Sequence, residues 1–268
     1  MIGAIAGDII GSRYERESID TKDFPLFSED SRFTDDSILT VAAAETLLYG
    51  TNYQDNYRRY AIMYKNRGFG SGFKGWVKSS NPAPYNSYGN GSMMRVSPVA
   101  WSFGIPQGGG IIMSGRNNLD KVLEEAKRSA ECTHNHPEGI KGAQAIAQAI
   151  YLARSNFRSK ASIIESLERD FGYDLSRNVC DFDRSFDVSC QGTVPRCMAA
   201  FREAESFEDG IRTAVAMGGD ADTNASIVGA ILEAFLPDLP VEIVKEVMDR
   251  LPFQMQYIIG EFYKKYRQ

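Results

Sequence analysis

Apolar positions recur along this chain at three- and four-residue intervals, the period of a helix that buries one face. Residues 36–49, DSILTVAAAETLLY, carry such a run and stop at Gly50, the residue type that most often follows a helix end. Residues 119–131 put Leu119, Val122, Leu123, Ala126 and Ala130 on one stripe. Pro137 suits the first turn of a helix that runs to about Arg154. The same reading predicts helices over 2–11, over 52–66 with an end near Gly68, and near 160–170, 204–217, 223–235, 240–250 and 254–266. Strand-like alternation is nearly absent. Gly-, Ser-, Asn- and Pro-rich stretches interrupt the helices at 68–92 and 104–118, and a polar, weakly patterned region spans 172–192. Connections of that length are uncommon without a task, and these are expected to line a cleft. No tandem repeat or linker divides the chain. The expected fold class is therefore all-α: one compact domain over 1–268, an irregular multi-helix pile rather than a regular four-helix bundle.

Composition narrows the partners. The balance of 30 basic against 35 acidic residues gives a net charge of −5, and no long basic block occurs. That disfavours wrapping duplex nucleic acid or lying on an anionic membrane. A nucleotide-like ligand stays open, because backbone amides hold phosphate without net positive charge. The 4 cysteines form no Cys-x-x-Cys pair and the chain has 2 histidines, so zinc is poorly supported. The opening MIGAIAGDIIG is apolar but short, lacks a basic leader and carries Asp8, which reads as a buried helix rather than a signal peptide. No uncharged run reaches membrane-spanning length. The expected location is the cytoplasm, with the cysteines as free thiols. Composition is silent on oligomeric state.

Two acidic clusters carry the chemistry. Thr34-Asp35-Asp36 precedes the apolar ILTVAAA, and Asp220-Ala221-Asp222-Thr223, behind Gly218-Gly219, precedes ASIVGAIL. Carboxylates this crowded repel one another unless a cation joins them. Helix capping is the competing account, since Thr and Asp are favoured N-caps and acids suit a first turn. Capping needs only one such residue, not two adjacent carboxylates. The donors are all oxygen, which favours Mg²⁺ over Zn²⁺. The two helices are expected to pack side by side with their first turns facing a common point. Two ions there would share the central carboxylates and keep positions open for a substrate diol or an attacking water.

Three further segments stand out. Tyr88 to Pro98 reads YGNGSMMRVSP, and its glycines expose backbone amides at the mouth of a predicted helix, where an anion binds. It fits neither a Walker A motif nor a dinucleotide fingerprint. Arg95 either contacts phosphate or pairs with a structural acid. THNHPE holds His134 and His136, which lack a third nitrogen or sulfur ligand; each either caps a helix or contacts ligand. In GAIAGDIIGSRYE, glycines at four-residue spacing allow close helix contact. There Asp8 needs a partner if it is buried, and Glu15 reaches a site mouth or forms a surface ion pair.

Taken in order, GAIAGDIIGSRYE (3–15), FTDDS (33–37), GNGSMMRVSP (89–98), THNHPE (133–138) and GGDADTNA (218–225) resemble the ADP-ribosylglycohydrolase family. Its members include the dinitrogenase reductase-activating glycohydrolase and the ADP-ribosyl-acceptor hydrolases. The resemblance implies an all-α domain with a binuclear Mg²⁺ centre, Mn²⁺ being usable. By the same resemblance Thr34, Asp35, Asp36, Asp220, Asp222 and Thr223 match metal ligands. Gly89, Asn90, Gly91, Ser92 and Met93 match the loop that accommodates ADP-ribose, and His134 a residue at the ribose and phosphate side. Asp35, Asp36 and Asp220 are the expected base or cation-stabilising groups, and Glu15 matches an acid that gates or assists the site. The implied reaction is hydrolysis of the glycosidic bond between ADP-ribose and an arginine- or serine-type acceptor, on a protein or a small conjugate. A weakly catalytic ADP-ribose- or nucleotide-binding module and a magnesium-dependent phosphohydrolase are the alternative readings. Two positions depart from the family pattern: Ala221 stands where Thr is common, and Glu233 where Gly is common.

Overall fold

The computed structural model describes residues 1–104, 113–155 and 159–267. In chain order the helices are α1 (Ile2–Gly11), α2 (Asp35–Tyr49), α3 (Tyr53–Met63), α4 (Ser71–Lys78), α5 (Gly91–Met94), α6 (Ser97–Trp101) and α7 (Met113–Glu131). There follow α8 (Pro137–Ala153), α9 (Lys160–Phe171), α10 (Cys190–Glu203), α11 (Phe207–Ala216), α12 (Ala221–Phe235), α13 (Val241–Arg250) and α14 (Phe253–Tyr266). A single 3₁₀ turn covers Val179–Asp181. Among the described residues the only β pairing is one isolated antiparallel bridge, Gly89 to Ser189.

Local chemistry sets most of the boundaries. The Thr34 hydroxyl accepts the Asp36 amide at the start of α2, and Gly50, at φ +67°, ends that helix in the left-handed conformation. Asn52 caps α3, which stops at Met63, three residues short of the predicted end, because Tyr64 has already left helical geometry. Ser159 and Ser162 form a reciprocal capping box on α9. Ser206 caps α11, so that helix starts at Phe207 rather than at 204. No helix is expected over 190–203 from the apolar pattern, yet α10 runs there with Pro195 inside it. Helices α4 to α6 also lie in or beside segments read as loop. They are 8, 4 and 5 residues long, too short for a helical period to register. Of the stretch at 104–118, residues 105–112 lie outside the described residues.

The core is organised around α1, whose residues are all buried. Its principal partner is α12. The four-residue glycine spacing gives the reason. A Cβ on Gly11 would lie 2.5 Å from Asp222 Cα, while one on Gly7 would run into the Ala225 carbonyl and one on Gly3 into that of Gly229. The two backbones therefore touch directly, which no larger residue permits. The side-by-side packing expected of α2 and α12 is limited to their ends, because α1 is the main neighbour of α12. The first turns of α2 and α12 nevertheless meet, where Thr223 Oγ1 donates to Asp36 Oδ2 at 3.4 Å.

Glu233 belongs to this packing and not to the cleft. It is 2% exposed and accepts the Gly3 amide at 2.8 Å, the Tyr263 hydroxyl and the amino group of Met1. It stands 11 residues beyond Asp222 on α12, about 16 Å along the axis. It ties α1, α12 and α14 together at the end remote from the acidic clusters.

Candidate metal centre and cleft

The second acidic cluster is delivered by a backbone turn. Gly218 and Gly219 adopt φ of +70° and +71°, a conformation that a side chain disfavours. Asp220 follows at the N-cap position of α12, yet its side chain caps nothing. Its Oδ2 accepts Asn90 Nδ2 at 2.6 Å instead, and the same amide nitrogen reaches Thr193 Oγ1 at 3.2 Å. Capping therefore accounts for Thr34 and leaves the aspartates unexplained.

Folding brings the two clusters together. Carboxylate oxygens of Asp8, Asp36 and Asp222 lie within 4.8 Å of one another, and all three residues are buried. Asp36 Oδ1 is buried without a hydrogen-bond partner. A buried acceptor left open in this way is costly unless something binds it. Among the described residues no lysine or arginine forms an ion pair with Asp8, Asp35, Asp36, Asp220 or Asp222.

Asp8 was not among the expected site residues. It is fully buried and accepts the amides of Thr34 and Ser37 at 2.9 and 3.1 Å, the Thr34 hydroxyl at 2.6 Å and the Ser37 hydroxyl. A buried acid there needs partners, and it has them: hydroxyls and amides at the entrance to α2. By accepting the hydrogen bond of the Thr34 hydroxyl it turns that oxygen's lone pairs away from itself. The available signal was a lone acid inside the otherwise apolar run of α1, one residue after Gly7 and turned away from the glycine face by helix geometry.

Crowding shows in the electrostatics. Desolvation, aided by neighbouring carboxylates, drives Asp36 and Asp222 well above the usual carboxylate range. Asp35 is pushed up to about 8 by desolvation first and by Asp8 next. Asp8 and Asp220 are raised by burial despite the hydrogen bonds that they accept. Glu15 is raised by desolvation and then by Asp220. A cluster that resists ionisation, offers only oxygen donors and holds an open lone pair fits a hard divalent cation.

The cluster opens into a cleft of about 470 Å³. Asp35, Asp36, Asp220, Asp222 and Thr223 line its acidic side together with Glu15. Gly68, Gly70 to Gly72 and Phe73 form another part of the wall, and Tyr85, Ser87, Gly89 to Gly91 and His134 a third. Phe186 and Val188 reach in from the weakly patterned region. The connections at 68–92 and 172–192 thus line a cleft, as expected.

The expected residues of the glycine loop face two ways. Gly89, Asn90 and Gly91 line the cleft, whereas Ser92 and Met93 turn inward. Ser92 Oγ donates to the Gly139 carbonyl at 2.8 Å, and Met93 is 1% exposed. Met94 and Arg95 take their place in the lining. Arg95 is buried without an acid partner: its Nη2 donates to Ser129 O at 3.0 Å and Thr133 Oγ1 at 2.8 Å, over the Tyr57 ring. His136 caps α8 by accepting the Glu138 amide, while His134 faces the glycine loop.

Fold and site together define an all-helical protein with a carboxylate-rich cleft suited to a cation and a polar ligand. The ADP-ribosylglycohydrolase family model matches residues 1–265, and the chain belongs to that family. The family hydrolyses ADP-ribose conjugates. The chain is 27% identical to the mouse ADP-ribosylhydrolase ARH3 over 88% of its own length and 82% of that protein. It is 26% identical to human ARH3, covering 88% and 84%, and 26% identical to an uncharacterized protein of Archaeoglobus fulgidus, covering 93% and 90%. Its fold matches a solved structure described as an ADP-ribosylglycohydrolase-related protein complex, with a TM-score of 0.71 at 22% identity, over 99% of this chain and 97% of that one. No helix among the described residues is long and apolar enough to cross a membrane.

Proposed function

We propose that the protein is a magnesium-dependent hydrolase that cleaves the glycosidic bond between ADP-ribose and an arginine- or serine-type acceptor, as one domain over 1–268. Its substrate is an ADP-ribosylated protein or a small ADP-ribosyl conjugate, handled in the cytoplasm. One observation carries this reading. Acids from three separate segments converge within 4.8 Å, two of them, Asp36 and Asp222, line the cleft, and among the described residues Asp36 Oδ1 has no hydrogen-bond partner.

Asp36, Asp222, Asp220, Thr34, Thr223 and Asp35 would hold two Mg²⁺ ions, with Mn²⁺ as a substitute. Bound there, the ions supply Lewis acidity toward ribose hydroxyls and water. The chain's own groups do the rest. Gly89 to Gly91 and His134 seat the diphosphate side of the ligand and so orient the terminal ribose. Water adds to the anomeric carbon as the bond to the acceptor nitrogen or oxygen breaks, through a transition state with oxocarbenium character. Asp35, Asp36 and Asp220 stabilise that positive charge and accept the water's proton. Glu15, at the same cleft and raised toward neutrality, is placed to pass a proton to the leaving group or to orient water. Ala221 offers no hydroxyl to this arrangement; the amide of Asn90, shared between Asp220 and Thr193, is the support that Asp220 has instead.

Mass spectrometry of the products from arginine-linked and serine-linked ADP-ribosyl peptides tests the reading. Intact ADP-ribose should form from at least one of them with Mg²⁺ and not after chelation. Release of AMP or phosphate would instead favour a phosphohydrolase. Binding of ADP-ribose without turnover of either peptide would favour a non-catalytic module.

A further inference from the structure

The two ring nitrogens of His134 have different surroundings. Nδ1 lies 2.7 Å from Thr133 Oγ1. Nε2 lies against the glycine loop, where a Cβ on Gly91 would sit 3.3 Å from it and one on Gly89 3.7 Å. Thr133 decides which nitrogen is protonated. Its oxygen already accepts Arg95 Nη2 at 2.8 Å, and among the described residues two acceptors lie within hydrogen-bond geometry of its single proton: Ala130 O at 3.4 Å and His134 Nδ1 at 2.7 Å. Ala130 O already accepts the backbone amides of Thr133 and His134 at 3.1 and 2.8 Å, which fills its two lone pairs. The hydroxyl proton therefore goes to Nδ1, and a neutral imidazole carries its own proton on Nε2.

Arg95 enforces this arrangement. Its charge polarises the hydroxyl that it donates to. Burial first, and Arg95 second, hold His134 well below the usual imidazole range, so the ring stays neutral. Arg95 is itself fully buried, and its Nε and Nη1 have no hydrogen-bond partner. Among the described residues no acid pairs with it, so a cation without a counter-ion there stands behind the glycine loop.

We propose that Arg95, Thr133 and His134 form a fixed relay that presents a neutral Nε2–H donor, backed by a buried positive charge, to an anion seated on Gly89 to Gly91. The identity of that anion as a phosphate of the ADP-ribosyl group rests on the functional reading above. Arg95 and Thr133 are positioning residues in this relay; His134 touches the ligand. Gly91 lacks a Cβ where one would cover Nε2.

The tautomer can be read directly. His134 and His136 are the chain's 2 histidines, and His136→Asn removes the second imidazole while keeping a side chain that caps helices. In that ¹⁵N-histidine-labelled protein, free of ligand, long-range ¹H–¹⁵N correlation should show a protonated Nε2 and a bare Nδ1 throughout neutral pH. Thr133→Val should release a mixture of tautomers and weaken ADP-ribose binding by about tenfold, the worth of one charge-assisted hydrogen bond. Thr133→Ser should restore both. A protonated Nδ1 in the parent protein overturns the proposal, as does a Thr133→Val protein with unchanged tautomer and affinity. Since the tautomer is read without ligand, a protein with the Nε2–H form that binds no ADP-ribose keeps the relay and removes the substrate reading.

Discussion

Asp222→Asn is expected to lower kcat/KM by roughly a thousandfold or more and, at the same time, to raise the melting temperature of the metal-free protein. The first effect follows from losing an oxygen donor at the point where the clusters of α2 and α12 meet. Removing one preorganised electrostatic contact commonly costs two to three orders of magnitude, and a group that holds a metal at least as much. The second effect follows from repulsion. Like charges 4.8 Å apart repel by roughly 3 kcal/mol at an effective dielectric constant of about 20. Partial protonation relieves some of this in the wild type, so the gain should be a few degrees. Asparagine keeps the shape and still accepts the Thr223 amide that Asp222 Oδ1 now takes at 2.9 Å. Circular dichroism melts and a product assay read the two effects separately. Wild-type turnover, or a melting temperature several degrees below that of the wild type, would count against a strained cation-holding cluster.

Magnesium should stabilise the protein, and more so at higher pH. The acids of the cluster have folded-state pKa values above their ordinary ones; for Asp35 the rise is from 3.8 to about 8. Over that window the folded protein holds more protons than the unfolded chain. Stability of the metal-free form therefore falls as pH rises through the window and is largest at its acid end. A divalent cation replaces those protons, so it competes with them below the window's upper edge and binds freely above it. At a concentration about a hundredfold above its dissociation constant it adds about 2.7 kcal/mol, or roughly 5–10 °C for a chain of this size. Thermal melts at pH 8 and pH 5.5, with Mg²⁺ and with chelator, measure this. An equal Mg²⁺ effect at both pH values would contradict the linkage.

Much of this architecture was legible in the chain, and the gaps have physical reasons. The helices α2, α8, α9, α12 and α14 follow apolar periods long enough to register, with Gly50, Pro137 and Gly172 as punctuation. Helix α10 was missed because Gly192 and Pro195 break the pattern at its start, while burial of Val194, Cys197, Met198 and Phe201 decides its conformation. The two acidic clusters could be read as partners because each crowds charge before an apolar run. Asp8 carried only the weaker signal of an acid inside an apolar run, because its neighbours Thr34 and Ser37 are brought to it only when α1 meets α2. The inward turn of Ser92 and Met93 depends on the Gly139 carbonyl and on Gly142, which belong to α8 and carry no local signal in the loop. Arg95 was recognised as either a phosphate contact or half of an ion pair. Among the described residues no acid pairs with it; the side chain is buried and backs Thr133.

The claim beneath the functional reading is that the aspartates of α2 and α12 share a divalent cation. Anomalous scattering from Mn²⁺ in crystals of the protein tests it most directly. The account predicts density bonded to carboxylate oxygens of both Asp36 and Asp222, at about 2.0–2.3 Å and with octahedral geometry. Saturating Mn²⁺ that leaves no anomalous peak between those two side chains would contradict it.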